Sequence, residues 1–353
     1  MGATGPKSGT IASVLPSAPR DNDSWDEDVS REIARSAPGR SSSGFFVGAP
    51  EPASRIGSRD PGAEPDEDEE EIEEEIPVVP VRRQLSVAIA GFAGLLGVGL
   101  ILGAQTSGPD ARLSYAIVVF GVQLLYILAF TMAIRPPAAG TVAGVCVAAA
   151  AAADYLAVNR EPAGIISLLV VAAAGYAGAV IGQMIRPDDR MHVRDALSGT
   201  LLIVLGVVSF AQLIVLTRKP IGTQAVLVCL TAVAVAVLVA HLIDAFFPRP
   251  RIAAQVPRGA TGIIVGAMLG TLAAAGLGSV LVLPFTPAKG AVLGFIVAGV
   301  AGLVDLAVNY SEVGRRMAGD TPTFWVARHM QGPLGAFALV LPGAYVMTAF
   351  FLN

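Results

Sequence analysis

Two cysteines and three histidines in 353 residues leave little from which to build a redox or histidine-metal centre. Cys146 and Cys229 both fall inside apolar runs and lack metal-ligand spacing, so they read as small buried hydrophobes with no disulfide framework. The histidines, His192, His241 and His329, are too widely spaced to form a site as near neighbours. No GxSxG, HExxH, CxxC or Walker loop occurs. Nothing resembles the paired carboxylates of glycoside chemistry. Charge is the other scarcity: beyond residue 85 the chain is a series of apolar runs with almost no ionisable residue in their middles. A soluble domain is excluded by a 54 % hydrophobic composition and a mean hydropathy of +0.64. The net charge of −4 comes mainly from the first eighty or so residues and says nothing about a nucleic-acid face; the expected partners are membrane lipids, not nucleic acid.

Residues 1–82 are rich in Gly, Pro, Ser and Ala, lack long apolar periodicity and carry a dense acidic block over 64–75, which predicts a disordered tail. No charged-then-apolar segment with a cleavage site is seen at the start, so no removable signal peptide is expected, and Pro6 occupies the position that a myristoylation motif gives to Ser or Thr. Within the tail, DSWDEDVSREIARS offers Ser24 as an N-cap and places Trp25, Val29 and Ile33 on one helical face. That face is either a docking site for a protein partner or part of a transient helix in a solvated tail.

From residue 83 the pattern predicts an all-α polytopic bundle over 83–353. About nine spans meet the length criterion of roughly 20 apolar residues. They run over 85–104, 114–134, 138–158, 163–185, 196–216, 222–247, 260–284, 290–309 and 333–352, with Pro and Arg punctuating several short connections. With the N-terminus inside, the inner connections hold 12 arginines and the outer ones 5 basic residues, so the positive-inside rule predicts a cytoplasmic tail and an external C-terminus. The Ala, Gly and Arg bias fits a high-GC bacterial coding sequence and hence an inner membrane. Gly262, Gly266 and Gly270 have the four-residue spacing that lets helix backbones approach closely in lipid, as do Gly178 and Gly182.

Ionisable residues at span edges are costly and usually have a role or a partner. Asp154, near the outer end of the third span, is expected to reach water. His241 and Asp244 lie a turn apart at the inner end of the sixth span, and Arg249, Arg251 and Arg258 crowd the turn that follows. Asp305 lies in the eighth span with Asn309 four residues on. The inner loop expected over 310–332 holds Arg315, Arg316, Asp320, Arg328 and His329. Carboxylates at a membrane boundary beside guanidinium groups suit a phosphate, or a phosphate bridged by Mg²⁺. Arg249, Arg251, Arg258, Arg315, Arg328 and His329 are therefore candidates for phosphate or lipid contact. Asp244 and Asp305 are candidate metal ligands, and Asp320 joins them as a candidate catalytic acid. The ordinary alternative is that the arginines enforce topology and contact anionic lipid while the aspartates pair with them.

Two segments resemble the CDP-diacylglycerol synthase (phosphatidate cytidylyltransferase) family, and the span layout over 85–353 is similar. DAFFPRPRIAAQVPRGATG looks like the family's aspartate–aromatic segment and the Pro–Lys–Thr–Glu–Gly that follows it. Asp244, Phe246, Pro257 and, shifted by one residue, Thr261 match, while the lysine and glutamate do not. GLVDLAVNYSEVGRRMAGD looks like the start of the family signature through Asp305-Leu306 and the Ser311–Arg315 spacing. Its continuation is reduced to Gly319-Asp320 and Arg328-His329, and the last two signature aspartates have no counterpart. The resemblance implies a helical bundle handling phosphatidate, CTP and Mg²⁺, and the missing acids imply an inactive or repurposed relative that binds anionic phospholipid. An active cytidylyltransferase using Asp244, Asp305 and Asp320 is the second reading. A transporter is the third, although no pair of broken hydrophobic segments occupies corresponding halves.

Overall fold

The structure, a computed structural model, describes residues 81–106, 108, 112–136, 138–185, 193–319 and 324–352. The expected tail up to residue 80, with its acidic block and the face formed by Trp25, Val29 and Ile33, lies outside them, and so do His192 and Asp320.

Among the described residues the chain forms nine helices: α1 (Arg83–Thr106), α2 (Arg112–Ile134), α3 (Ala139–Asn159), α4 (Ile165–Met184), α5 (Val193–Thr217), α6 (Gly222–Phe246), α7 (Ala260–Val280), α8 (Pro287–Met317) and α9 (Trp325–Phe350). Each is long and apolar enough to cross a membrane. All-helical structure is what lipid demands, because an α-helix satisfies its backbone polar groups within the segment. The first seven helices fall within a few residues of the expected spans.

The last two do not. The expected loop over 310–332 is mostly helix: α8 runs for 31 residues to Met317, and α9 begins at Trp325 and carries Pro333 inside it. A window based on apolarity stops where charges begin, but the helix does not. Glu312 pairs with Arg315 and Arg316 three and four residues on, and the two arginines fall in the last turn, where cations favour the helix dipole.

The packing falls into two groups. In the first, α5 packs against α2, α3 and α4. In the second, α7 is sandwiched between α6 and α8, and α1 lies along α6. α9 runs between the groups and touches α2, α5, α6 and α8. α5 and α9 are the most enclosed, whereas α4 and α7 turn most of their surface outward. Lipid tails are as apolar as leucine, so helix association here depends on close packing more than on hydrophobic expulsion. The glycine ribs supply that closeness: a Cβ at Gly262, Gly266 or Gly270 would run into the backbone oxygens of Ala240, Ala236 and Ala232 on α6. The Gly178/Gly182 pair is weaker, with Gly182 meeting only the Thr141 side chain and Gly178 making ordinary contact with Val145.

One expectation is overturned inside the first group. Asp154 does not reach water; it is 6 % exposed, and Gln123 Nε2 donates to its Oδ1 at 3.0 Å and to the Val207 carbonyl at 3.0 Å. Cys146 and Cys229 are buried and unbridged, as their apolar surroundings predict.

Candidate functional site

α6 ends at Phe246 because Pro248 and Pro250 follow and cannot continue its hydrogen bonds. Three residues apart, His241 and Asp244 project from the same face of its last turns. The connection to α7 closes on itself: the Ile252 N–H donates to the Arg258 carbonyl at 3.3 Å, and the Ala260 N–H to the Pro250 carbonyl at 3.0 Å. That closure turns Arg258 inward at the start of α7, and it is 2 % exposed. α8 brings Asp305 to the same place from the other side of α7.

The four side chains form one network. Arg258 Nη1 lies 2.7 Å from Asp244 Oδ2 and Arg258 Nη2 lies 2.6 Å from Asp305 Oδ2. Arg258 Nη1 is also 2.9 Å from His241 Nδ1, and His241 Nε2 is 3.4 Å from both oxygens of Asp305. The tautomer that fits keeps Nδ1 as acceptor and turns Nε2–H toward Asp305. The Gly259 N–H donates to Asp244 Oδ1 at 3.0 Å. One guanidinium thus bridges two carboxylates that lie 61 positions apart in the sequence, with the imidazole completing the ring of contacts. Two glycines make the room: a Cβ at Gly262 would collide with the Asp244 carboxylate, and one at Gly332 on α9 with that of Asp305. Asn309 turns back onto its own helix, donating to the Asp305 backbone carbonyl at 2.7 Å.

Beside the network lies a cavity of about 120 Å³ between the starts of α1 and α9 and the ends of α6 and α8. His241 and Asp305 reach it, and Arg82, Arg316, Arg328, His329 and Glu312 also line it. Glu312 is shared among three guanidinium groups, with Arg315 Nη2 at 2.5 Å, Arg316 Nε at 3.3 Å and Arg328 Nη1 at 3.9 Å. Arg315 also donates to the Ala133 carbonyl at the end of α2.

The candidate residues therefore separate into three sets. Asp244, Arg258 and Asp305 converge. Arg258 is expected from the sequence to contact phosphate; the structure engages it with the two aspartates instead, where a cation shared by them would sit. Among the described residues no group of three or more His, Cys, Asp or Glu is placed to hold a metal ion. Arg328 and His329 line the adjoining cavity and Arg315 stands next to it. Arg249 and Arg251 stay on the connecting loop, around a surface depression with Pro250 and Ala254; Arg249 is exposed. Sequence reasoning missed Arg82, Glu312 and Arg316 as cavity residues, and it missed the glycine at 332. The i, i+3 and i, i+4 pairing of Glu312 with Arg315 and Arg316 was a readable signal. The approach of α1 to α9 had none.

Compared with family models, curated proteins and solved structures, the chain matches none. Nothing in these comparisons identifies the relationship to CDP-diacylglycerol synthases that the two segments and the span layout lead one to expect.

Proposed function

We propose that this multi-pass membrane protein holds the phosphate of an anionic phospholipid head group at the cytoplasmic face of the membrane, in the cavity beside the Arg258 network, without transferring a nucleotide. The observation that carries the reading is the composition of the cavity. Arg82, Arg316, Arg328 and His329 line it, and Glu312, the carboxylate outside the network among its described lining residues, is divided among three arginines. Guanidinium groups suit phosphate because their paired N–H groups match its oxygens and keep their charge at any physiological pH. Size supports the same reading. Pockets for drug-sized molecules run to about 300–1,000 Å³, whereas about 120 Å³ suits a head-group phosphate and falls short of a nucleotide. The inner side follows from the excess of arginines on that set of connections.

Mg²⁺ has a narrower place in this scheme. Asp244 and Asp305 are the carboxylates that would hold it, and the guanidinium of Arg258 lies between them at 2.7 and 2.6 Å. Their role is then to fix Arg258 and, through His241 and Asp305, one wall of the cavity. The convergence of Asp244 and Asp305 is also the one observation that favours an active phosphatidate cytidylyltransferase, with Arg258 displaced by Mg²⁺–CTP.

One experiment separates these readings. The protein is placed in nanodiscs of phosphatidylcholine with and without phosphatidic acid, and retained lipid is counted by native mass spectrometry. Head-group binding predicts selective retention of phosphatidic acid that falls about tenfold when Arg316 and Arg328 are both changed to Gln, as the loss of about 1.4 kcal/mol of charge-assisted contact would give. Equal retention by the wild type and the double variant would sink the proposal. Formation of CDP-diacylglycerol from CTP and Mg²⁺, abolished by Asp305→Ala, would replace it with the enzyme reading.

A further inference from the structure

We propose that Asp154 and Gln123 hold a proton between them inside the first helix group: Asp154 carries it on Oδ2 and donates it to Gln123 Oε1. The chain then binds an exchangeable proton, taken from water, at a site separate from the Arg258 network.

Hydrogen bonding at this pair leaves one gap. The Val207 carbonyl can only accept, so it fixes which way the Gln123 amide points, with Nε2 facing it at 3.0 Å. The second N–H of the same nitrogen goes to Asp154 Oδ1, also at 3.0 Å. Both donors of Gln123 are then used. Gln123 Oε1 and Asp154 Oδ2 remain, two buried oxygens with no partner among the described residues. While Asp154 is ionised, each of them can only accept. A proton on Oδ2 supplies the donor that both lack, and it closes the two-bond ring that a carboxylic acid forms with an amide.

Charge gives the same answer. A carboxylate enclosed by apolar helices needs a cation or a proton, since an unpaired charge there costs far more than a neutral acid. α3 packs against α2, α4 and α5. Among the titratable groups of these four helices are phenols and a thiol, which supply no cation: Tyr115 and Tyr126 on α2, Cys146 and Tyr155 on α3, and Tyr176 on α4. The charged groups stand at helix ends. Arg112 starts α2, Arg160 and Glu161 follow α3, and Arg194 and Asp195 fall in the first turn of α5. Arg218, after α5, donates through Nη1 to the Ala157 and Arg160 carbonyls at 2.7 and 2.9 Å, and its Nη2 lies 3.4 Å from Glu161. Among the described residues no ion pair includes Asp154. A proton is what remains to neutralise it.

The test is infrared difference spectroscopy of the full chain in phosphatidylcholine nanodiscs at neutral pH, wild type minus Asp154→Asn. The amide of that variant keeps the acceptor for Gln123 and offers Oε1 a donor, so the fold is retained. A shared proton predicts the carbonyl stretch of one protonated carboxylic acid per chain, lost in Asp154→Asn and shifted down on exchange into heavy water. In Gln123→Met the same band should persist at higher frequency, because its acceptor is gone. Ionised-carboxylate bands in the difference spectrum, with no acid band, would overturn the proposal. An acid band that Gln123→Met leaves unmoved would overturn the sharing. A band that vanishes when sodium or potassium ions are added would also overturn it, and would assign the two oxygens to a monovalent cation. Should Gln123→Met fail to fold, the first difference spectrum decides alone.

Discussion

Asp154 and Asp305 are both buried in helices that cross a membrane, yet one is met by a neutral amide and the other by a guanidinium. Gln123 ties Asp154 on α3 to α2 and, through the Val207 carbonyl, to α5. Asp154 Oδ2 has no hydrogen-bond partner among the described residues. At the other centre Arg258 is held by Asp305, Asp244 and His241 together, and it joins α6, the start of α7 and α8, with Gly332 of α9 closing over the top. The first arrangement is a clasp that could lose its charge and keep its shape. The second depends on its one cation: without it two carboxylates would face each other away from water. Buried ion pairs add little compared with well-packed apolar residues, but removing one partner is expensive. The asymmetry between the two centres should therefore be large and measurable.

The largest effect is expected from Arg258→Ala, which strands Asp244 and Asp305 and should lower stability by about 3–5 kcal/mol. Thermal unfolding of purified protein would show it as a steep fall in Tm. Adding Asp244→Asn and Asp305→Asn to that variant should restore part of the loss, and strict additivity would show that the three do not act as a unit. Next comes Gly332→Ala, whose methyl group would collide with the Asp305 carboxylate; about 1–3 kcal/mol is expected for such overpacking. Gly343→Ala on the same helix meets nothing within 4 Å and serves as its control, so equal shifts in the two would remove the steric explanation. Smaller still is Asp154→Asn, which keeps an acceptor for Gln123 and should change stability by about 1 kcal/mol or less. If it proved more damaging than Asp305→Asn, the comparison would be inverted. Arg249→Ala, on the exposed loop, should stay within about 0.5 kcal/mol of the wild type, and a larger loss would show that the loop bears on the network.

Much of this was legible in the sequence, for reasons that also mark where legibility ends. A run long enough to cross a bilayer declares itself, which is why nine helices were expected and nine are described. A carboxylate in such a run is unusual enough to draw attention, and so Asp244 and Asp305 stood out. Their meeting on Arg258 could not be read, because it depends on α7 lying between α6 and α8, and the glycine ribs indicated a close contact without naming the partner. Asp154 shows that nearness to a helix end is not access to water. Its partner, Gln123, carries no charge and left no mark in a search for ionisable residues. The boundary of α8 fails for the opposite reason: its charges suggest the end of a helix that their own pairing extends.

The 31 residues of α8 have a further consequence. At about 1.5 Å per residue the helix is about 46 Å long, and a tilt of about 20° still leaves it about 43 Å tall, against about 30 Å of hydrocarbon. With its first turn at the far edge of the hydrocarbon, its last turns, with Glu312, Arg315 and Arg316, would reach the level of the lipid phosphates. In a thicker bilayer the hydrocarbon would climb toward those arginines, and the helix would have to straighten or the membrane to thin around it. On the head-group proposal, occupancy of the site would then vary with membrane thickness, which makes α8 a ruler for the bilayer around it.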